Sequence, residues 1–127
     1  MATLREIMTE SVFTVGPDAT VADVAREMVE GRFGSAVILE NGWIAGIFTE
    51  RDVVRAAASG QDLSGEPVRQ WMTKDPMAVP ADTEVGEAMQ LMASNGFRHL
   101  PVAEGRDLLG IVSLRDVLAT RIARAPR

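Results

Sequence analysis

Gly110-Ile111-Val112-Ser113-Leu114-Arg115-Asp116 decides the fold, because nearly the same phrase stands 64 residues earlier as Gly46-Ile47-Phe48-Thr49-Glu50-Arg51-Asp52. Each copy opens on glycine, runs through two apolar residues that suit the end of a buried strand, and reaches a hydroxyl residue. An aspartate follows three positions later, and then a helix-like run, Val53 to Ala58 or Val117 to Ile122. The pattern predicts a strand that delivers the chain into a helix N-terminus, where free amides and the positive dipole end favour an anion or a polar ligand edge. The carboxylate could accept two hydrogen bonds from a vicinal diol, and the hydroxyl could serve a ribose or phosphate oxygen. Thr-x-x-Asp and Ser-x-x-Asp are equally capping boxes, in which the same side chains satisfy the helix's own amides. Both readings stand at this point.

The 64-residue offset holds along the whole chain without a gap. Arg5 falls on Arg69, Met8-Thr9 on Met72-Thr73, Val15 on Val79, Met28 on Met92 and Phe33 on Phe97. The sequence is a tandem duplication, with residues 1–64 as the first repeat and 65–127 as the second. Each repeat predicts a weakly helical lead-in (Leu4 to Met8; Val68 to Met72) and a short strand (Phe13 to Val15; Met77 to Val79). Helix starts are expected at Thr20 and Thr83, with Thr20 and Asp23 fitting a capping box. Val21, Val24, Ala25 and Met28 then mark one buried helical face, as do Val85, Ala88, Met89 and Met92, so the methionines read as core. Gly31 and Asn95-Gly96 suit left-handed helix ends.

Two hairpins follow. Ser35 to Leu39 turns at Asn41-Gly42, a type I′ signal, into Trp43 to Phe48. His99 to Ala103 turns through Glu104 to Asp107 into Leu108 to Val112. Closing helices are expected from Glu50 and Leu114. Ala58 to Pro67 has the composition of a connector, and the basic tail, Arg121 to Arg127, is expected to fray. The reading is therefore α+β, two tandem β-α-β-β-α repeats packed sheet to sheet with pseudo-two-fold symmetry. A unit of about 60 residues buries too little surface to stand comfortably alone, so the two are expected to share a core and leave two clefts between them.

Composition narrows the function. The chain of 127 residues is 46% apolar and 24% charged, an ordinary globular balance. A net charge of -5 disfavours non-specific nucleic-acid binding. With no cysteine and a single histidine, a His/Cys metal site lacks ligands. Charges in the first residues and the lack of a long apolar run predict neither signal peptide nor membrane span, hence a cytoplasmic protein. No nucleophile–base grouping, metal-ligand cluster or P-loop is visible, so an enzyme is not expected.

The duplication and its motif resemble a tandem pair of CBS domains, a Bateman module. Gly46 to Asp52 and Gly110 to Asp116 match the family's signature. Met8-Thr9, Met72-Thr73 and Arg98-His99-Leu100-Pro101-Val102 support it. The resemblance implies a non-enzymatic regulatory module that binds AMP, ADP or ATP, with S-adenosylmethionine or NAD as less favoured ligands, in clefts between the repeats. It implies that Asp116 with Ser113, and Asp52 with Thr49, meet ribose, while Arg98 and His99 meet phosphate. Thr20, Phe33 and Gly34 are implied for the Asp116 cleft, and Thr83 and Phe97 for the Asp52 cleft. Arg51 and Arg115 sit in first helical turns, an unfavourable place for a cation, which points to an anionic partner. The first repeat has Gly34-Ser35-Ala36-Val37 where the second has Arg98-His99-Leu100-Pro101, so phosphate binding is expected chiefly at Asp116. Trp43 and Trp71 read as packing or interface residues. A homodimer is expected through apolar helix faces such as Val53-Val54-Ala57 and Val117-Leu118-Ile122, with an unidentified downstream protein as target. The alternative is a ligand-free dimerisation or interaction module whose Ser/Thr-Asp pairs only cap helices.

Overall fold

The structure, a computed structural model, describes residues 2–123, and 124–127 of the expected basic tail lie outside that range. The chain forms two compact units. The central one is Phe13–Pro76; the terminal one joins Met1–Val12 to Met77–Arg127. These units are cut differently from the duplication, because each contains the lead-in of the other repeat.

In the central unit, β1 (Thr14–Val15), β2 (Ser35–Glu40), β3 (Trp43–Thr49) and β4 (Thr73–Lys74) form a sheet in that order. β1 runs parallel to β2, and β3 runs antiparallel to both of its neighbours, β2 and β4. Two α-helices, α2 (Val21–Gly31) and α3 (Glu50–Ala58), and a 3-10 turn at Val68–Gln70 complete the unit. The predicted I′ turn is present: Asn41 and Gly42 have φ of 53° and 81°, the left-handed values that let a two-residue turn follow the strand twist. The core is built from Val21, Val24 and Met28 of α2 against Ala36, Ile38, Phe48, Ala56 and Val68. In the connector, the Ser64 hydroxyl and then its amide donate to Asp62 and hold its carboxyl below the ordinary aspartate range.

The terminal unit repeats this plan with fewer paired residues. Its hairpin is β5 (His99–Glu104) with β6 (Asp107–Ser113), flanked by α1 (Leu4–Ile7), α4 (Val85–Asn95) and α5 (Leu114–Ala123). The bulge between Val102 and Ala103 sits at the same repeat position as that between Ile38 and Leu39. Where a strand over Met77 to Val79 is expected, only Val79 pairs, bridging Val102 as Val15 pairs with Ile38. Thr9 bridges Ile111 as Thr73 pairs with Ile47. Val85, Ala88 and Met92 are buried with Leu4, Leu100, Val102, Val112 and Val117.

Two local expectations need correction. The left-handed residue that ends α2 is Arg32 (φ 58°), not Gly31. Gly31 is small for another reason: a β-carbon there would come within 2.7 Å of Cδ2 of Phe33. In α4 the left-handed cap is Gly96, as expected, but the N-cap is Glu84 rather than Thr83. Glu84, not Thr83, is the repeat partner of Thr20. The Thr83 carbonyl instead accepts from the Leu4 amide at 2.9 Å, which ties the lead-in to the start of α4. Thr20 does cap α2, accepting from the Asp23 amide at 3.1 Å, but the Asp23 carboxylate turns to Arg26.

Candidate functional site

In each unit the motif glycine sits where a methionine from the lead-in crosses the strand. A β-carbon on Gly110 would lie 2.7 Å from the Met8 sulfur and 2.9 Å from the Thr9 carbonyl oxygen. On Gly46 it would lie 2.8 Å from Met72 Cγ and 2.9 Å from the Thr73 carbonyl oxygen. Glycine is required because only a bare backbone admits the neighbouring strand this closely. The lead-in therefore runs beside the strand that ends in the hydroxyl–aspartate pair.

The pairs themselves form the helix caps. The Ser113 amide donates to Asp116 Oδ2 at 3.0 Å, and the Asp116 amide returns a bond to Ser113 Oγ at 3.1 Å. The Thr49 amide donates to Asp52 Oδ2 at 2.9 Å, and the Thr49 hydroxyl reaches the same oxygen at 3.4 Å. Capping of this kind uses one carboxylate oxygen and leaves the other for a further donor.

The terminal unit gathers Phe97, Arg98, His99, Ser113, Arg115 and Asp116. Register places His99 opposite Ser113, and the Leu114 amide donates to the Arg98 carbonyl at 2.7 Å, which fixes Arg98 at the entry to α5. Arg98 and Arg115 are exposed, while His99, Ser113 and Asp116 are half-buried. A basic residue, a carboxylate and the amide end of a helix thus meet at one corner. Thr83 belongs to this unit as well.

Thr20, Phe33, Gly34, Thr49, Arg51 and Asp52 belong to the central unit. The Phe33 ring stacks on Phe13 with centroids 5.0 Å apart. The Gly34 carbonyl accepts from the Glu50 amide, the same bond that Arg98 makes in the other unit, but without a cationic side chain.

Three features escaped sequence reasoning. Arg55 donates to Asp52 Oδ1 at 2.9 Å, and its guanidinium carbon lies 5.7 Å from the Trp71 ring centroid. The i,i+3 spacing of Asp52 and Arg55 was the available signal. The Trp71 indole N–H is buried without a partner among the described residues, and nothing in the sequence announces that. An apolar groove of about 450 Å³ lies between α2 and α3, lined by Ala25, Met28, Val29, Phe33, Val53 and Val54, with Arg32 and Glu50 also on its walls.

No helix among the described residues is long and apolar enough to cross a membrane, and those residues contain no cluster of three or more His, Asp or Glu that could hold a metal ion.

Comparison with known proteins gives one consistent answer. The family model described as CBS domain matches residues 4–59 and 68–122. An uncharacterized 17.7 kDa protein of Acidianus ambivalens is 46% identical over 120 residues, 92% of this chain and 72% of the relative. Among solved structures, a protein with CBS domains from Burkholderia ambifaria is 28% identical. The match has a TM-score of 0.92 and covers 99% of this chain and 98% of that one. The CBS domain pair of protein MJ0100, solved with 5′-methylthioadenosine and S-adenosyl-L-methionine, has a TM-score of 0.90 at 18% identity, covering 98% and 99% of the two chains.

Proposed function

The chain belongs to the CBS-domain family as a tandem pair, and on that premise we propose that it is a regulatory module that binds an adenine nucleoside or nucleotide without catalysis. The observation that carries the reading is the corner at which Arg98, His99, Ser113 and Asp116 meet at the start of α5. A ribose diol would donate to Asp116, whose cap bond with the Ser113 amide occupies only Oδ2. A phosphate would meet Arg98 and the amide end of α5. AMP, ADP and ATP fit the basic corner best. The bound state of MJ0100 keeps S-adenosylmethionine among the candidates.

A ligand that binds only the folded state raises stability by about 2.7 kcal/mol at 100 times its dissociation constant. Thermal unfolding with AMP, ADP, ATP, S-adenosylmethionine and NADH therefore tests the reading directly. A charge-assisted hydrogen bond contributes roughly 1.5–3 kcal/mol, or about 10- to 150-fold in affinity. Arg98→Ala should weaken AMP by that factor and adenosine far less. Absence of any shift across the panel would leave the interaction-module reading in its place.

The groove between α2 and α3 supports a homodimer. Val29 and Val54 are 78% and 68% exposed on it, with Arg32 and Glu50 beside them. An isologous contact would bring the arginine of one copy to the glutamate of the other and bury both valines.

A further inference from the structure

Asp52 and Asp116 hold matched positions in the duplication, yet among the described residues only Asp52 is paired with a cation. Asp52 is 5% exposed. Its Oδ2 is taken by the Thr49 amide and its Oδ1 by Arg55. Arg55 is held from two sides, by that carboxylate and by the face of Trp71, within the range of a cation–π contact. The repeat partner of Arg55 is Ala119, which has no charge to offer. Among the described residues the Asp116 carboxylate bonds only to Ser113, and Asp116 remains partly exposed.

We infer that Arg55 closes the Asp52 motif from within the chain, so that the protein takes one nucleoside, at Asp116, despite carrying two copies of the motif. The inference rests on the nucleoside reading above, in which the motif carboxylate receives the ribose hydroxyls. To be received at Asp52, a ribose must displace a guanidinium from a desolvated carboxylate and from its seat on Trp71. It would replace a charge-assisted N–H donor of a cation with a neutral hydroxyl, the weaker of the two. At Asp116 no cation is bonded among the described residues. Arg55 is thus a specificity-determining residue that sets the number of sites.

Calorimetric titration with adenosine tests this, because a neutral probe is not attracted to Arg55 through phosphate. The wild-type chain should bind one equivalent, and Arg55→Ala should bind two. Ala119→Arg, at an exposed position on α5, transplants the contact and should weaken the Asp116 site by about tenfold or more, the scale of one charge-assisted hydrogen bond. Two equal sites in the wild type, or one unchanged site in both variants, would overturn the closure and leave the nucleoside reading standing. A parallel AMP titration in which Arg55→Ala loses affinity would make Arg55 a phosphate ligand and equally overturn it. No adenosine binding by the wild type or either variant would overturn the nucleoside reading itself.

Discussion

Met8 covers Gly110 so closely that a β-carbon on the glycine would stand 2.7 Å from the methionine sulfur, and Met72 stands over Gly46 in the same way. The two ends of the family signature, Met-Thr and Gly-apolar-apolar, are therefore one packing device. The glycine is needed by the crossing strand, rather than by a turn: neither Gly46 nor Gly110 has a positive φ. Gly110→Ala should cost roughly 1–3 kcal/mol, the usual range for overpacking. Part of that cost comes from the Thr9 carbonyl, a backbone atom that cannot swing aside. Urea unfolding checks it, with Gly16→Ala, which has nothing within 4 Å, as a near-neutral control. If Met8→Ala in the same chain restores part of the loss, the sulfur contact carries that part.

The two aspartates should differ in what they contribute to the fold. Asp116→Ala removes a capping box and should cost about 1 kcal/mol. Asp52→Ala also breaks the bond to Arg55, whose side chain is 56% exposed, so solvent screening limits the extra loss to roughly 0.5–1 kcal/mol. Denaturant midpoints of the two variants should fall in that order. Equal midpoints would show that the ion pair contributes nothing to stability.

Arg32 ends α2 in the left-handed region, which costs a side-chain-bearing residue about 1–2 kcal/mol. Arg32→Gly removes that strain and adds back some unfolded-chain entropy. A net gain of about 0.5–1 kcal/mol is expected in thermal unfolding, and a loss would mean that the Arg32 side chain makes a contact stronger than the strain.

Val54→Asp places a charge in the groove that we assign to a second copy. A surface substitution of this kind changes the stability of the folded chain by no more than about 0.5 kcal/mol. Light scattering should show a dimer for the wild type and a monomer for the variant. A monomeric wild type at micromolar concentration removes the dimer proposal.

The sequence by itself determined what depends on neighbours along the chain. Periodicity located α2 and α4, turn residues located both hairpins, and the spacing of Thr49 with Asp52 and of Ser113 with Asp116 offered the caps alongside a ligand site. Local reasoning failed where two adjacent residues compete for one role. Gly31 looked like the helix end, but the Phe33 ring needed its small size and left the left-handed position to Arg32. Thr83 looked like an N-cap, but its carbonyl was already committed to Leu4.

Only the tertiary structure decided which lead-in joins which strand. Met8-Thr9 could pair with the Gly46 strand or the Gly110 strand on sequence grounds, because duplication makes the two edges chemically alike. The fold pairs Thr9 with Ile111 and Thr73 with Ile47, exchanging the lead-ins between repeats. It also showed that Asp52 is spoken for by Arg55 over Trp71. A single sequence shows such an arrangement as an unrelated cation and aromatic, since the ring and the guanidinium meet only after the chain between them has folded back. Pattern along the chain specifies elements; contacts between distant segments specify which of two equivalent surfaces each element covers.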